Sequence, residues 1–133
     1  MNIIICGAGR VGFTIAKQLS EQGHSITVID TSSEDIQKID DALDVKAIVG
    51  KATYPTILEK ANAAETDMII AVTRNDEINM VICQIAFSIF NIPKKIARIR
   101  SQDYLNPKFT TVYNKENLPI DVIISPEIEI AKS

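Results

Sequence analysis

The chain has 133 residues, 46% apolar and 23% charged, with 14 Lys and Arg against 17 Asp and Glu for a net charge of −3. That length suits one globular domain with a sizeable core. The acidic balance, the absence of Trp and the lack of a basic tract interleaved with aromatics exclude broad nucleic-acid binding. No apolar run reaches the length of a membrane span, which argues against direct membrane insertion, and Met1 runs almost at once into an apolar strand, leaving no room for a signal peptide. A cytoplasmic protein is expected.

The first strand, Ile3-Ile4-Ile5-Cys6, opens into Gly7, Gly9 and Gly12, spaced G-x-G-x-x-G. A helical pattern follows from about Arg10 to Gln22, with Val11, Ile15 and Leu19 on one face and Gly23 as its C-terminal stop. This is how a chain brings backbone next to phosphate. Gly7 permits the tight turn, Gly9 lacks the Cβ that would bar a pyrophosphate, and Gly12 lets the helix lie close to its strand, while the helix N-terminus offers N–H groups and a positive dipole end. His24, the sole histidine, falls in the following turn and reads as a solvent-exposed residue near the helix C-terminus.

The second strand, Ser25 to Ile29, ends in Asp30. This lies about twenty residues past the glycines, where a dinucleotide-binding unit keeps its ribose-binding acid. A carboxylate there accepts from both ribose hydroxyls and repels a 2′-phosphate, favouring NAD or an adenine nucleotide over NADP. Thr31, Ser32 and Ser33 can each cap the next helix, which runs to about Ala42 with Ile36, Ile39 and Leu43 as its buried stripe. A third strand, about Val45 to Val49, ends at Gly50. The loop Lys51-Ala52-Thr53-Tyr54 then leads to a helix opened by Pro55, with Ile57, Leu58 and Ala61 facing inward. Lys51 either meets ligand at the adenosine end of a cleft or is a solvated surface lysine.

The run Asp67 to Thr73 is the next buried strand. Thr73 and Arg74 begin the loop expected to form the far wall of the cleft, offering a hydroxyl and a guanidinium to an anion, with Thr73 also able to cap the next helix. Asp76 and Glu77 load that helix's first turn, and Ile78, Val81, Ile82, Ile85, Ile89 and Phe90 read as core. Lys95 to Arg100 then puts two arginines on one face of an interior strand. Arg98 must meet an anion, either an acid of the protein or a ligand in the cleft, whereas Arg100 escapes to solvent more easily. The segment from Ser101 to Pro119 is turn-rich, with a short helical piece around Asp103 to Phe109. A last strand, Asp121 to Ile124, precedes a helix beginning after Pro126, which suggests a piece of a longer protein. Cys6 and Cys83 read as buried small hydrophobes, with no metal-ligand spacing.

The pattern predicts a three-layer, Rossmann-like doubly wound α/β domain spanning 1–133, with about six parallel strands in order 3-2-1-4-5-6. Several of its motifs resemble the KTN family of potassium-transport regulators, also called RCK-N. They are Arg10 inside the glycine motif, Val28-Ile29-Asp30, Ala71-Val72-Thr73 followed by Asp76-Glu77-Ile78-Asn79-Met80, and Ile96-Ala97-Arg98-Ile99-Arg100. The likeness covers nearly the whole chain, and the last two motifs are more specific than the glycines, which dehydrogenases share.

The resemblance implies a non-enzymatic, nucleotide-gated regulator of a Trk-type potassium uptake system. It implies a site in which the backbone of Gly7, Ala8, Gly9, Arg10 and Val11 holds phosphates, Arg10 contacts the pyrophosphate or a terminal phosphate, Asp30 holds the ribose, and Thr73, Arg74 and Arg98 complete it, with Gly12, Thr31, Lys51 and Ala52 as further cofactor-binding candidates. NAD or NADH is the first ligand implied, with ATP or ADP as alternatives. The implied partners are further copies, as a homodimer or larger ring, and a membrane-embedded potassium transporter subunit at the cytoplasmic face of the plasma membrane. Family members usually carry Asp or Asn where this chain has Lys51, and they continue into further domains. Two competing readings are the NAD-binding domain of an oxidoreductase lacking its catalytic domain, and a Rossmann-like interaction module without ligand. The first lacks a proton donor, since His24 lies at the wrong end of its helix.

Overall fold

The computed structural model describes residues 1–125. Its centre is a six-stranded parallel sheet built from continuous apolar runs, as a sheet covered on both faces requires. The strands are β1 (Asn2–Cys6), β2 (Ser25–Asp30), β3 (Lys46–Val49), β4 (Met68–Ala71), β5 (Lys94–Arg98) and β6 (Val122–Ile124), in spatial order β3-β2-β1-β4-β5-β6. The expected architecture and strand order are thus found. Register is fixed at the centre by Ile5 opposite Val28 on one side and Ile70 on the other.

Helices cover both faces. On one, Ile3, Ile5, Val28 and Ile70 pack with Ala16 of α1 (Arg10–Glu21) and with Ile36 and Ile39 of α2 (Ser33–Ala42). On the other, Ile4, Ile29, Ile69 and Ala97 pack with Leu58 of α3 (Pro55–Lys60) and with Ile82, Cys83 and Ala86 of α4 (Asp76–Ser88). Adjacent residues of each strand divide between the two cores, because successive side chains point to opposite faces. Pro55 opens α3, and Gly23 takes φ +89 just beyond α1, where His24 N–H closes back on the Leu19 carbonyl at 3.2 Å.

Three local expectations change. His24 is partly buried, with its Nδ1 3.0 Å from the Met1 amino group. The helical piece near 103–109 is the single turn α5 (Gln102–Leu105), followed by a 3₁₀ turn at Thr110–Val112. Of the six apolar residues read as the core face of α4, Ile82 is buried and Ile85 and Phe90 are partly so. Ile78, Val81 and Ile89 are exposed at 41%, 44% and 54%. A wholly buried Asn79 occupies the inward position beside Ile78. The helix expected after Pro126 lies outside the described residues.

Candidate functional site

The carboxyl ends of the strands open on a cleft of about 700 Å³ at the point where strand order reverses between β1 and β4. Backbone bonds carry the ladder past the strand ends and fix the rim: Gly7 N–H donates to the Ile29 carbonyl at 2.8 Å, Val72 N–H to Cys6 at 2.8 Å, and Gly50 N–H to Asp30 at 2.9 Å. Gly7 sits at φ +119, and a Cβ there would lie 2.8 Å from the Val72 carbonyl oxygen. A Cβ on Gly12 would overlap the Gly7 carbonyl, so this glycine is what lets α1 close on β1. A Cβ on Gly9 would meet nothing within 4 Å. It would project into open space at the start of α1, where Gly9 is the N-cap and no side chain caps the helix. The positive end of α1 is therefore left to an incoming anion.

Asp30 ties the near wall together. Its Oδ2 accepts the Ala8 N–H at 2.7 Å and its Oδ1 the Ser32 N–H at 2.8 Å. Each oxygen keeps acceptor capacity for a ribose hydroxyl. Because Ala8 N–H is engaged and Ala8 is only 5% exposed, this residue stands behind the loop, as does Gly12, and neither lines the cleft. The other predicted residues, Gly7, Gly9, Arg10, Val11, Asp30, Thr31, Lys51, Ala52, Thr73, Arg74 and Arg98, do line it. Lys51 is exposed, with its ammonium 5.4 Å from the centre of the Tyr54 ring. Ser32, not Thr31, caps α2, accepting Asp35 N–H at 3.1 Å.

The far wall is a hydrogen-bonded unit. Asn75, rather than Thr73, caps α4, accepting Ile78 N–H at 2.9 Å. Thr73 instead donates its hydroxyl to Asn79 Oδ1 at 2.6 Å and accepts the Asn75 N–H at 3.3 Å, so it has one remaining lone pair and no proton to offer a ligand. Arg98, 8% exposed, reaches the cleft and donates from Nη2 to the Thr73 carbonyl at 2.8 Å. Arg100 also lines the cleft and donates to the Arg74 carbonyl at 2.8 Å. Asp76 receives the backbone N–H groups of Arg100 and Ser101 at 3.1 and 2.8 Å. Arg100 and Asn79 are among the residues not foreseen as part of the site, as are the lining residues Asp35, Thr53, Asn75 and Ile78. For Asn79, an amide at a helix position flanked by Ile78, Met80 and Ile82 was the available signal.

Beneath the loop, Cys6 is fully buried, and burial pushes its thiol up, with the neighbouring Cys83 and Asp30 acting the same way. Burial likewise pushes the Cys83 thiol up to about 12. Among the described residues no group of His, Cys, Asp and Glu could hold a metal ion, and no helix is long and apolar enough to cross a membrane.

The family model for the TrkA-N domain matches residues 3–126, taking in every element that shapes this cleft. The chain belongs to the TrkA-N domain family. A relative with the same domain, the Trk system potassium uptake protein TrkA of Azorhizobium caulinodans, is 46% identical over 132 residues. The match covers 99% of this chain and 29% of that protein, so the chain spans under a third of the relative's length. Among solved structures, the TrkA-N domain of the inner membrane protein ybaL from Escherichia coli aligns over 98% of this chain and 91% of its own, with a TM-score of 0.84 at 23% identity. The GsuK channel bound to NAD aligns over 97% of this chain and 22% of its own, with a TM-score of 0.77 at 18% identity. Both share the TrkA-N fold.

Proposed function

We propose that this TrkA-N domain is a nucleotide-sensing regulatory module of a Trk-type potassium uptake system, with NAD or NADH as its first ligand and ATP or ADP as alternatives. The observation that carries the reading is the division of labour across one cleft. A carboxylate with free acceptor capacity stands at one end, the uncapped start of α1 in the middle, and the Arg74, Arg98 and Arg100 side chains on the opposite wall. The residues fit an adenine dinucleotide: Asp30 takes the ribose hydroxyls, and the open space at Gly9 admits the pyrophosphate to the α1 N-terminus. Arg10, the first residue of α1, contacts it from the side. The TrkA relative supports the transport assignment, and the NAD-bound GsuK channel supports the ligand class.

In this reading the domain carries out no chemistry. A ligand that binds one arrangement of a homodimer or ring better than another shifts the population, and a membrane-embedded potassium transporter subunit at the cytoplasmic face responds to the change. Calorimetric titration with NAD, NADH, ATP and ADP, repeated on Asp30→Ala, tests the sensor. At least one nucleotide is expected to bind below millimolar concentration, with a loss of about tenfold, or ~1.4 kcal/mol, in the variant. Absence of binding by all four at millimolar concentration removes the sensor reading, and oxidation of NADH with a small carbonyl compound would make the domain an enzyme.

A further inference from the structure

Within the far wall, one side chain joins Thr73 to Arg98. Asn79 is wholly buried on α4, and all four of its hydrogen-bonding positions are used. Its Oδ1 accepts the Thr73 N–H at 2.9 Å and the Thr73 hydroxyl at 2.6 Å. Its Nδ2 donates to the Arg98 carbonyl at 2.8 Å and to the Thr73 carbonyl at 3.2 Å. The orientation of the amide is fixed without ambiguity, since a backbone N–H can only donate and a backbone carbonyl can only accept. The Thr73 carbonyl also receives Arg98 Nη2 at 2.8 Å, so this one oxygen joins the amide of Asn79 to the guanidinium of Arg98.

We propose that Asn79 is a positioning residue for nucleotide binding, holding Thr73 and Arg98 as one unit across the cleft from the glycine loop. The inference rests on the sensor reading above. Asn79 does not line the cleft itself and acts through the two residues it orders. The strand ends of β4 and β5 are adjacent through the pair Ala71 and Ala97, where the ladder between these two strands ends, Arg98 being paired on its other side with Ile124 of β6. Beyond it, the Asn79 amide takes over the role of a backbone partner and bridges Thr73, after β4, to Arg98, at the end of β5. No other side chain replaces it. Asp lacks both donors and would set a carboxylate against two carbonyl oxygens. Ser is too short to span the gap, and Gln carries one methylene too many for a fully buried site.

The test is a double-mutant cycle read by calorimetry with NAD and ADP on the wild-type chain, Asn79→Ser, Arg98→Ala and the double variant. Unliganded thermal unfolding is recorded for each. Each single variant is expected to lose tenfold or more in affinity, and the double variant to be no weaker than the weaker single one, because the two residues act through one contact. Losses that multiply, or wild-type affinity in Asn79→Ser, overturn the role for Asn79 while leaving the sensor reading intact. Failure of the wild-type chain to bind overturns both.

Should Asn79→Ser not fold, the wild-type chain and Arg98→Ala decide the matter by nuclear magnetic resonance. The Asn79 side-chain NH₂ signals are expected to shift on nucleotide addition in the wild type and to shift far less in Arg98→Ala. An unmoved signal in the nucleotide-saturated wild type overturns the proposal.

Discussion

Two glycines of the same motif have opposite duties, and substitution separates them. At Gly12 an added Cβ would overlap the Gly7 carbonyl oxygen, so α1 must move away from β1. Gly12→Ala is expected to cost about 3 kcal/mol of stability in urea unfolding, the upper end of ordinary overpacking, because backbone cannot give way as a side chain can. At Gly9 the same methyl meets nothing within 4 Å, and the residue already has an extended conformation with φ −75. Gly9→Ala is therefore expected to keep its stability within about 1 kcal/mol, like a surface substitution, while losing nucleotide affinity, because the methyl fills the space a pyrophosphate needs. Equal affinity in Gly9→Ala would place the phosphates elsewhere. The thiols give a second test at this scale. An unfolded cysteine releases its proton near 9.0, whereas burial holds the Cys83 proton until about 12. The folded state thus binds more protons than the unfolded one in that interval. The stability from this source is whole below pH 9 and is lost as pH rises from 9 to 12. Urea midpoints measured across that interval should fall, and fall less steeply in Cys83→Ala.

Among the elements, the sheet was legible because its strands are continuous apolar runs separated by helical periods, and that pattern admits few arrangements. Helix α4 was less so. It is apolar on several sides, so periodicity alone could not show that Ile78, Val81 and Ile89 lie outward while Asn79, Ile82, Cys83 and Ala86 lie inward. Capping by Thr73 was an open alternative: Asn75 takes the cap, while the Thr73 hydroxyl is engaged by Asn79. A third element-scale feature escaped the sequence altogether. The charge buried at the amino end of β5 is Lys95, with 4% exposure, beside Arg98 at the carboxyl end. Its ammonium lies 3.1 Å from Asp121 Oδ2 and 3.0 Å from the Ile92 carbonyl, and 5.3 Å from the centre of the Phe87 ring. Asp121 also accepts the Lys95 N–H at 2.7 Å, so it holds β5 beside β6 at the end remote from the cleft. Asp121→Ala leaves that buried ammonium with backbone carbonyls but no counter-charge and is expected to cost about 3 kcal/mol in chemical denaturation. Nucleotide affinity should be unchanged, and a variant that unfolds like the wild type would show the pair to be dispensable.

The whole molecule segregates its charge. The chain carries −3, yet among the described residues lining the cleft Arg10, Lys51, Arg74, Arg98 and Arg100 face only Asp30 and Asp35. Four of these five cations were site candidates, Lys51, Arg74 and Arg98 through their places in or after strands and Arg10 through the family resemblance. Arg100 is exposed, as its place near the strand end implied, but its bond to the Arg74 carbonyl could not be foreseen, because that depends on Asp76 fixing the chain after β5. The imbalance makes the cleft a local well for anions inside an acidic protein, and its walls focus that field. Affinity should therefore follow the negative charge of the ligand, with NADH binding more tightly than NAD and ATP more tightly than ADP. The cations reach one another's neighbourhood across a cleft open to solvent, so salt should weaken the attraction once the screening length falls to about 10 Å, near 0.1 M. Calorimetry in 20 and 200 mM salt is expected to show the ATP affinity falling more steeply than that of NAD. Arg100→Gln should flatten the dependence for both without altering unfolding. A salt response equal for all four ligands would mean that the cations of the far wall are neutralised within the protein and that the α1 N-terminus alone reads the phosphate.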